Sequence, residues 1–250
     1  MHHFLFDPWK LPTPGVDRKQ HFFYVVDMPY RNVPCVTSET YHVFNRSIAG
    51  QTIFLKSKDY QRMYDLLNFY RFSSLKDSFS HYNRLPTDVK EIYLSKVKAS
   101  NASLVSISAF SLMPTHFHLA IRQEQSGGIS TFMSRVQNGY AKYFNIKRKR
   151  FGALFQAMYK AVRFESEEQY LHTIRYIHIN QMTAGIITKS TELEHYLWTS
   201  FTDYMGNRKD SMIDTSFIWG QFKTIESFSK FTLDQIDYQR TLAFVSRMDE

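Results

Sequence analysis

The sequence predicts an α+β protein in which helices pack on an antiparallel sheet. Residues 105–112 and 117–121 alternate apolar with polar side chains, and Pro114 between them would turn the chain, which predicts a β-hairpin. Patterns typical of strands and of amphipathic helices interleave along the rest of the chain. A hairpin among interleaved helices favours a single antiparallel sheet with helices against it.

Each predicted element has its own local signal. Short apolar or alternating runs predict the strands, at residues 41–44, 52–55, 105–112, 117–121 and 159–164. Helical spacing of apolar side chains behind polar starts predicts the helices, at residues 57–70, 87–98, 129–147 and 166–180. Met63 and Leu67 fall on one stripe of the first helix, and Asp88 lies near the positive end of the second. Gly127 precedes the third helix, and Ser166 is the expected N-cap of the fourth.

Composition separates the two ends of the chain from its middle. Prolines interrupt residues 1–38 throughout, so we interpret this region as an irregular N-terminal extension, in which residues 21–26 could add one strand. Residues 39–206 hold the other predicted strands and the helices. Residues 207–250 mix charged with aromatic side chains and are interpreted as a C-terminal helical appendage.

Charge and cysteine content narrow the class of partner and of site. Lys and Arg number 31 and Asp and Glu number 23, and this net charge of +8 suits a polyanionic partner such as nucleic acid. Cys35 is the only cysteine, which excludes an intrachain disulfide and a cysteine-based zinc site. No apolar run approaches the roughly 20 residues that a membrane span needs, and the first residues do not have the pattern of a secretory signal. We therefore expect a cytoplasmic protein that does not bind a membrane.

Two histidines in the second hairpin strand are candidate metal ligands. His116 and His118 are two residues apart, so a strand would place them roughly 6–7 Å apart on one sheet face, opposite the apolar side chains. Neutral imidazoles in that arrangement can converge on one divalent ion. The alternative is a structural histidine beside an exposed one, which is the commoner meaning of an isolated His-x-His pair.

Tyr176 and Asn180 are a candidate nucleophile and a candidate third metal ligand on the last long helix. They are four residues apart and share a face, roughly opposite the apolar stripe that contains Ile174 and Ile177. A phenol on that side is either exposed to solvent or buried against a functional group. The alternative reading is an ordinary core aromatic.

Tyr140 and Tyr143 are rival nucleophiles, because they lie on a helix that ends in the basic run 147–150. Neither has a residue four positions on that could ligate a metal, since those residues are Phe144 and Lys147. We therefore rank both tyrosines below Tyr176. The basic run itself could be a solvated helix end or a patch that contacts phosphates.

Six segments carry a resemblance to a known family. They are residues 41–46 (YHVFNR), 112–119 (LMPTHFHL), 140–145 (YAKYFN), 152–156 (GALFQ), 175–180 (RYIHIN) and 196–201 (YLWTSF). In order and spacing they resemble the single-tyrosine branch of the HUH single-strand endonucleases, namely the IS200-like transposases and their REP-associated relatives. Residues 39–206 are thereby identified as an IS200-like transposase domain. Two positions depart from the family pattern: Thr115 replaces the usual Asn, and Gln181 replaces the usual Pro.

The resemblance implies a fold, a site and an activity. The fold would be a ferredoxin-like antiparallel sheet with the His-x-His pair on a central strand. His116, His118 and Asn180 would bind Mg²⁺ or Mn²⁺, and Tyr176 would be the nucleophile. The activity would be that of a divalent-metal-dependent, single-stranded DNA transposase and endonuclease, which cleaves and rejoins hairpin ends through a 5′-phosphotyrosine intermediate.

The expected partner is single-stranded DNA that contains a hairpin or a palindromic repeat. The basic side chains expected to contact its backbone are those of Arg46, Arg148, Lys149 and Lys160. Both a monomer and a homodimer are compatible with the resemblance. Two other functions remain open: a phosphodiesterase in which the histidine-bound metal activates water, and a catalytically silent nucleic-acid-binding module.

Overall fold

Four antiparallel strands form the sheet in the computed structural model of the protein, which describes residues 34–100, 102–234 and 236. They are β1 (Thr40–Arg46), β2 (Val105–Met113), β3 (His116–Gln123) and β4 (Lys160–Arg163). Their spatial order is β2-β3-β1-β4, so β1 and β3 are central. This is the ferredoxin-like arrangement, and the predicted α+β class is confirmed together with the position of His116 and His118 on a central strand.

Helices connect the strands and continue after the last of them. They are α1 (Ser57–Tyr70), α2 (Phe79–Tyr82), α3 (Thr87–Ala99), α4 (Gly128–Arg148), α5 (Glu167–Thr183), α6 (Ser190–Leu193), α7 (Phe201–Tyr204), α8 (Ser216–Gln221) and α9 (Ile225–Leu233). The four helices predicted from the sequence agree with α1, α3, α4 and α5 to within a few residues. Helix α5 continues past residue 180 because Gln181, unlike a proline, keeps the backbone N–H that an α-helix uses. None of the helices in the described ranges is both long and apolar enough to traverse a bilayer.

One predicted strand is absent: residues 52–55 form an irregular segment rather than a strand. The backbone N–H groups of Ile53 and Phe54 both donate to the carbonyl oxygen of Pro114, at 2.8 and 3.1 Å, instead of to a neighbouring strand. Their side chains are buried in the core, which explains the apolar run. A short apolar run therefore marked burial here and not sheet pairing. The strand suggested for residues 21–26, like residues 1–33 as a whole, lies outside the described residues.

The two faces of the sheet are covered by different helices. On one face, α1 and α4 pack over Val43, Leu119 and the other inward side chains of β1, β2 and β3. On the other face, α5 packs over β2 and β3, where Ala109 and Ala120 leave room for the helix to approach closely. The His-x-His pair points to this second face, since His118 and Ala120 alternate with Phe117 and Leu119 along β3.

The start of α4 needs two glycines. Gly127 has a φ of +68°, in the left-handed region that other residues rarely adopt. A Cβ atom on Gly128 would lie 2.3 Å from the carbonyl oxygen of Leu104, which is far inside van der Waals contact. The pair thus lets α4 begin directly against the chain that enters β2.

The segment after residue 206 shares its core with α5. The ring of Phe228 in α9 is fully buried and lies 5.8 Å from the ring of His178 in α5 and 4.8 Å from that of Tyr204. The guanidinium carbon of Arg175 lies 3.7 Å from the centre of the Phe231 ring, which is a cation–π distance. The helical part of this segment therefore supports α5 from the side away from the sheet.

Asp59 joins α1 to α4 through a buried carboxylate. Its Oδ2 accepts hydrogen bonds from the backbone N–H groups of Leu55 and Lys56, and its Oδ1 accepts from Tyr143 Oη and Lys147 Nζ. Burial alone would raise the pKa of this carboxyl group, but the hydrogen bonds from Lys147, Tyr143 and the backbone outweigh burial and hold the pKa below its ordinary value of 3.8.

We predict that Asp59→Ala lowers the free energy of unfolding by about 2–4 kcal/mol, because it leaves buried donors without an acceptor. Because the folded-state pKa is lowered, the stabilisation is complete above pH 3.8 and is lost as the pH falls through the folded-state value. Urea unfolding at a series of pH values should show the two proteins converging in acid. Glu91→Ala, at an exposed position on α3, is the control. An Asp59→Ala deficit that persists unchanged in acid would contradict this account.

Candidate functional site

Three histidines and a phenylalanine meet on the α5 face of the central strands. In the β1–β3 register, Phe44 lies opposite His118 and Arg46 lies opposite His116. His42 precedes Phe44 by two residues and therefore projects from the same face. The rings of His116 and His118 are 5.1 Å apart, as are those of His42 and His118.

Hydrogen bonds hold one ring nitrogen of each histidine on β3. His118 Nδ1 lies 2.9 Å from His42 Nε2, and His116 Nδ1 lies 2.9 Å from Thr115 Oγ1. If each Nδ1–H donates, each Nε2 carries the lone pair that a metal needs, and metal-binding histidines are usually oriented by such bonds. The family departure at Thr115 is therefore compatible with an ordered His116.

The site keeps its imidazoles neutral. Burial lowers the pKa of His118 well below 6.5, and the neighbouring His42 and His116 lower it further. Burial and the nearby Arg46 guanidinium lower the pKa of His116 to about 4, and burial lowers that of His42 to about 3. Neutral rings at physiological pH have lone pairs to offer a cation.

Tyr176 of α5 packs edge-on against this histidine cluster. Its ring centre lies 5.5 Å from that of His118 at an interplanar angle of 89°, and 6.2 Å from that of His42 at 75°. Burial raises the pKa of the phenol above its ordinary value of 10.0, and a hydrogen bond with the Asn180 side chain partly offsets this rise. Tyr176 and Asn180 thus act on one another from adjacent turns, as their spacing predicted.

Buried polar contacts fix the rotation of α5 about its axis. Gln181 Nε2 donates to Ser111 Oγ of β2 at 2.8 Å, and His178 Nε2 lies 2.8 Å from Ser200 Oγ. Both contacts lie within two turns of Tyr176. They hold the helix in the orientation that presents the phenol to the histidines.

The side chains at this site fit a divalent cation. In the described ranges, no group of three or more His, Cys, Asp or Glu side chains could hold a metal, so a cation at His116 and His118 would need a further ligand of another kind. Asn180 offers an amide, and its Nδ2 is buried without a hydrogen-bond partner. The amide nitrogen is a donor, so a cation would be bound by the amide oxygen of Asn180. Two imidazoles and an amide oxygen are ligand types that divalent metal ions accept.

The rival tyrosines lie on the opposite face of the sheet. Tyr140 is fully buried, and its hydroxyl donates to the carbonyl oxygen of Ile53 at 2.7 Å. Burial raises its pKa strongly, as does the negative charge of Asp59. Tyr143 donates to Asp59 at 2.9 Å. Both phenols therefore have structural partners in the α1–α4 layer.

The four basic residues expected to contact DNA divide into two pairs. Arg46 and Lys160 are exposed on β1 and β4, in positions that share the histidine face, and Lys160 lies opposite Phe44. Arg148 and Lys149 are exposed at the end of α4, in the layer on the other face. Arg148 also lies 3.7 Å from Asp59. Only the first pair is beside the histidine cluster.

A family comparison matches the part of the chain that contains this site. Residues 76–180 match the model of the family described as "Transposase IS200 like". The resemblance to IS200-like transposases is confirmed. The matched segment contains His116, His118, Tyr176 and Asn180, whereas β1 with His42 lies before it.

Comparisons with individual proteins give one distant structural likeness and no match to a curated sequence. No curated protein sequence matches the chain. A solved structure of a REP-associated tyrosine transposase bound to a REP hairpin is similar to this chain, with 13% identity and a TM-score of 0.48, over 75% of this chain and 94% of that one. A likeness as distant as this carries no argument. The assignment of residues therefore depends on the geometry of the site.

No role for His42 follows from the sequence alone. It belongs to the YHVFNR segment of the family resemblance, and its alternation with Phe44 and Arg46 places it on one strand face. Its contact with His118 follows only from the register between β1 and β3, two strands that are far apart in the sequence.

Proposed function

We propose that this chain is an IS200-like transposase that cleaves and rejoins single-stranded DNA through a covalent 5′-phosphotyrosine at Tyr176. The proposal rests chiefly on one observation, the packing of the Tyr176 ring 5.5 Å from that of His118 within the same chain. An aromatic side chain needed only for the core would not require two neutral histidines and an amide beside it. The same chain supplies both the phenol and the imidazoles.

Tyr176 Oη loses its proton and attacks a DNA phosphorus, forming an O–P bond. The bond between that phosphorus and the 3′-oxygen of the preceding nucleotide breaks, and the 3′-oxygen takes up a proton and leaves as a hydroxyl. A Mg²⁺ or Mn²⁺ ion bound by His116, His118 and Asn180 would polarise a non-bridging phosphate oxygen and favour the phenolate. Arg46 and Lys160, on the same face, hold the phosphate backbone, which makes binding sensitive to salt. The phosphotyrosine retains the energy of the phosphodiester, so the strand can be rejoined without a nucleotide cofactor.

The substrate class is single-stranded DNA with a hairpin or a palindromic repeat. This proposal follows from the match to the IS200-like transposase family model. The surplus of 31 basic over 23 acidic side chains is compatible with such a partner.

The experiment is to incubate the wild-type protein with an end-labelled hairpin and Mn²⁺, denature the mixture and look for a protein–DNA adduct. We expect an adduct that survives denaturant, requires the metal and maps by mass spectrometry to the peptide that contains Tyr176. Cleavage without an adduct would instead indicate a metal-activated water and would contradict the proposal. Binding of the hairpin without cleavage under any metal condition would indicate a silent binding module.

A further inference from the structure

We propose that Phe151 is a base-stacking residue for single-stranded DNA that extends from the cleavage site. This inference rests on the proposed function, since it names a second contact of the same substrate. The Phe151 side chain is 95% exposed, more than any other large apolar side chain in residues 34–100, 102–234 and 236. A phenylalanine held fully in water gives up the stabilisation that burial would provide, unless a partner covers it.

The loop that carries Phe151 is held in place by its neighbours. Arg150 Nη1 donates to Asn145 Oδ1 at 2.9 Å, and Arg150 Nη2 donates to the carbonyl oxygen of Ala153 at 3.0 Å. Asn145 Nδ2 donates in turn to the carbonyl oxygen of Gly152 at 2.9 Å. These bonds clamp the chain on both sides of Phe151, so the ring is presented from an ordered turn, which lowers the entropy cost of binding.

The far end of this loop is attached to the strand that borders the site. The N–H of Gln156 donates to the carbonyl oxygen of Arg46 at 2.9 Å, and the N–H of Ile48 donates to that of Leu154 at 3.0 Å. Ser47 next to them donates its N–H to the carbonyl oxygen of Thr115, the residue before His116. A single DNA strand that leaves the histidine face along Arg46 would therefore run toward the segment that ends the loop of Phe151.

The charge around Phe151 identifies the occupant as a polyanion with flat apolar rings. Lys147, Arg148, Lys149 and Arg150 precede it directly. Lys147 and Arg150 contact Asp59 and Asn145, and Arg148 lies 3.7 Å from Asp59. The exposed Lys149 is itself the left-handed residue at the end of α4. An exposed aromatic ring beside cations is the arrangement by which proteins bind single strands, with bases stacked on the ring and phosphates near the charges.

The test measures affinity by fluorescence anisotropy for three DNAs: a blunt hairpin, the same hairpin with a single-stranded tail, and the tailed hairpin with abasic tail positions. Tails on either side of the hairpin are tried. We expect Phe151→Ala to weaken binding of the tailed hairpin by about tenfold, the scale of one base stacked on an aromatic ring. Phe151→Trp should bind like the wild type. Ile146→Ala, which removes another exposed apolar side chain at the end of α4, should have no effect.

The other two DNAs separate stacking from general attraction. The blunt hairpin should bind equally to all variants, and the abasic tail should bind weakly to the wild type and no worse to Phe151→Ala. Equal affinity of wild type and Phe151→Ala for the tailed hairpin overturns the inference. The inference is also overturned if Phe151→Ala alters only the self-association of the protein, measured by sedimentation. That result would assign the ring to a contact with a second copy of the chain.

The adduct assay keeps this inference distinct from the proposed function. If Tyr176 forms an adduct and Phe151→Ala leaves tail affinity unchanged, the function stands and the stacking role falls. If no adduct forms but the tail contributes to affinity only when Phe151 is present, the stacking role stands and the function falls.

Discussion

Tyr176→Phe is expected to abolish adduct formation, with a loss of at least about 10⁴-fold in the rate, which is the scale of removing a nucleophile from an enzyme that forms a covalent intermediate. The ring and its packing against His118 and His42 are kept, so only the hydroxyl that attacks phosphorus is lost. Affinity for the hairpin should change little. Denaturing gels of the labelled DNA measure the first quantity, and anisotropy measures the second.

Tyr140→Phe is the control for this prediction, because Tyr140 also has a buried phenol on a long helix. Its hydroxyl donates to Ile53, so its loss should affect stability and not the chemistry. Thermal unfolding of both variants separates the two effects. Loss of the adduct in Tyr140→Phe with its retention in Tyr176→Phe would place the nucleophile in α4 and overturn the proposed site.

Features that depend only on the spacing of nearby residues could be predicted from the sequence. The position of His116 and His118 on one strand face follows from their separation of two residues, and the turn at Pro114 follows from its ring. The position of Tyr176 and Asn180 on one face of α5 follows from their separation of one helical turn. Local geometry of this kind does not require knowledge of the rest of the fold.

Features that depend on tertiary contacts were not predictable in the same way. The 52–55 segment is as apolar as a strand, yet its N–H groups bond to the carbonyl oxygen of Pro114. The sequence predicts a single apolar stripe on α5, but the burial of this helix extends further. Almost all side chains of α5 from Thr173 to Met182 are buried, between the sheet on one side and α9 on the other. Helical periodicity identifies one buried face, but a helix covered on two sides buries polar side chains as well, among them His178 and Gln181.

The contact of His42 with His118 also depends on tertiary structure, because it requires the pairing of β1 with β3. His42→Phe is expected to raise the Mn²⁺ concentration needed for half-maximal adduct formation by about 10–100-fold, the usual effect of removing a partner that orients a metal-binding histidine. Without His42 Nε2, His118 Nδ1 loses the hydrogen-bond partner at 2.9 Å that fixes its tautomer and its ring orientation. Calorimetric titration of Mn²⁺ into the DNA-free protein should show the same loss of affinity.

His42→Gln is the matched variant, because its amide can still accept a hydrogen bond from His118 and should recover part of the metal affinity. The phenylalanine variant fills the space beside Phe44 with an apolar ring but leaves the buried His118 Nδ1 without its partner, so we expect it to lose about 1–3 kcal/mol of stability. A purely structural His42 would give the same loss of stability with an unchanged Mn²⁺ requirement. That outcome would remove His42 from the site and leave His118 to be oriented by the packing of Phe44 and Tyr176 against its ring.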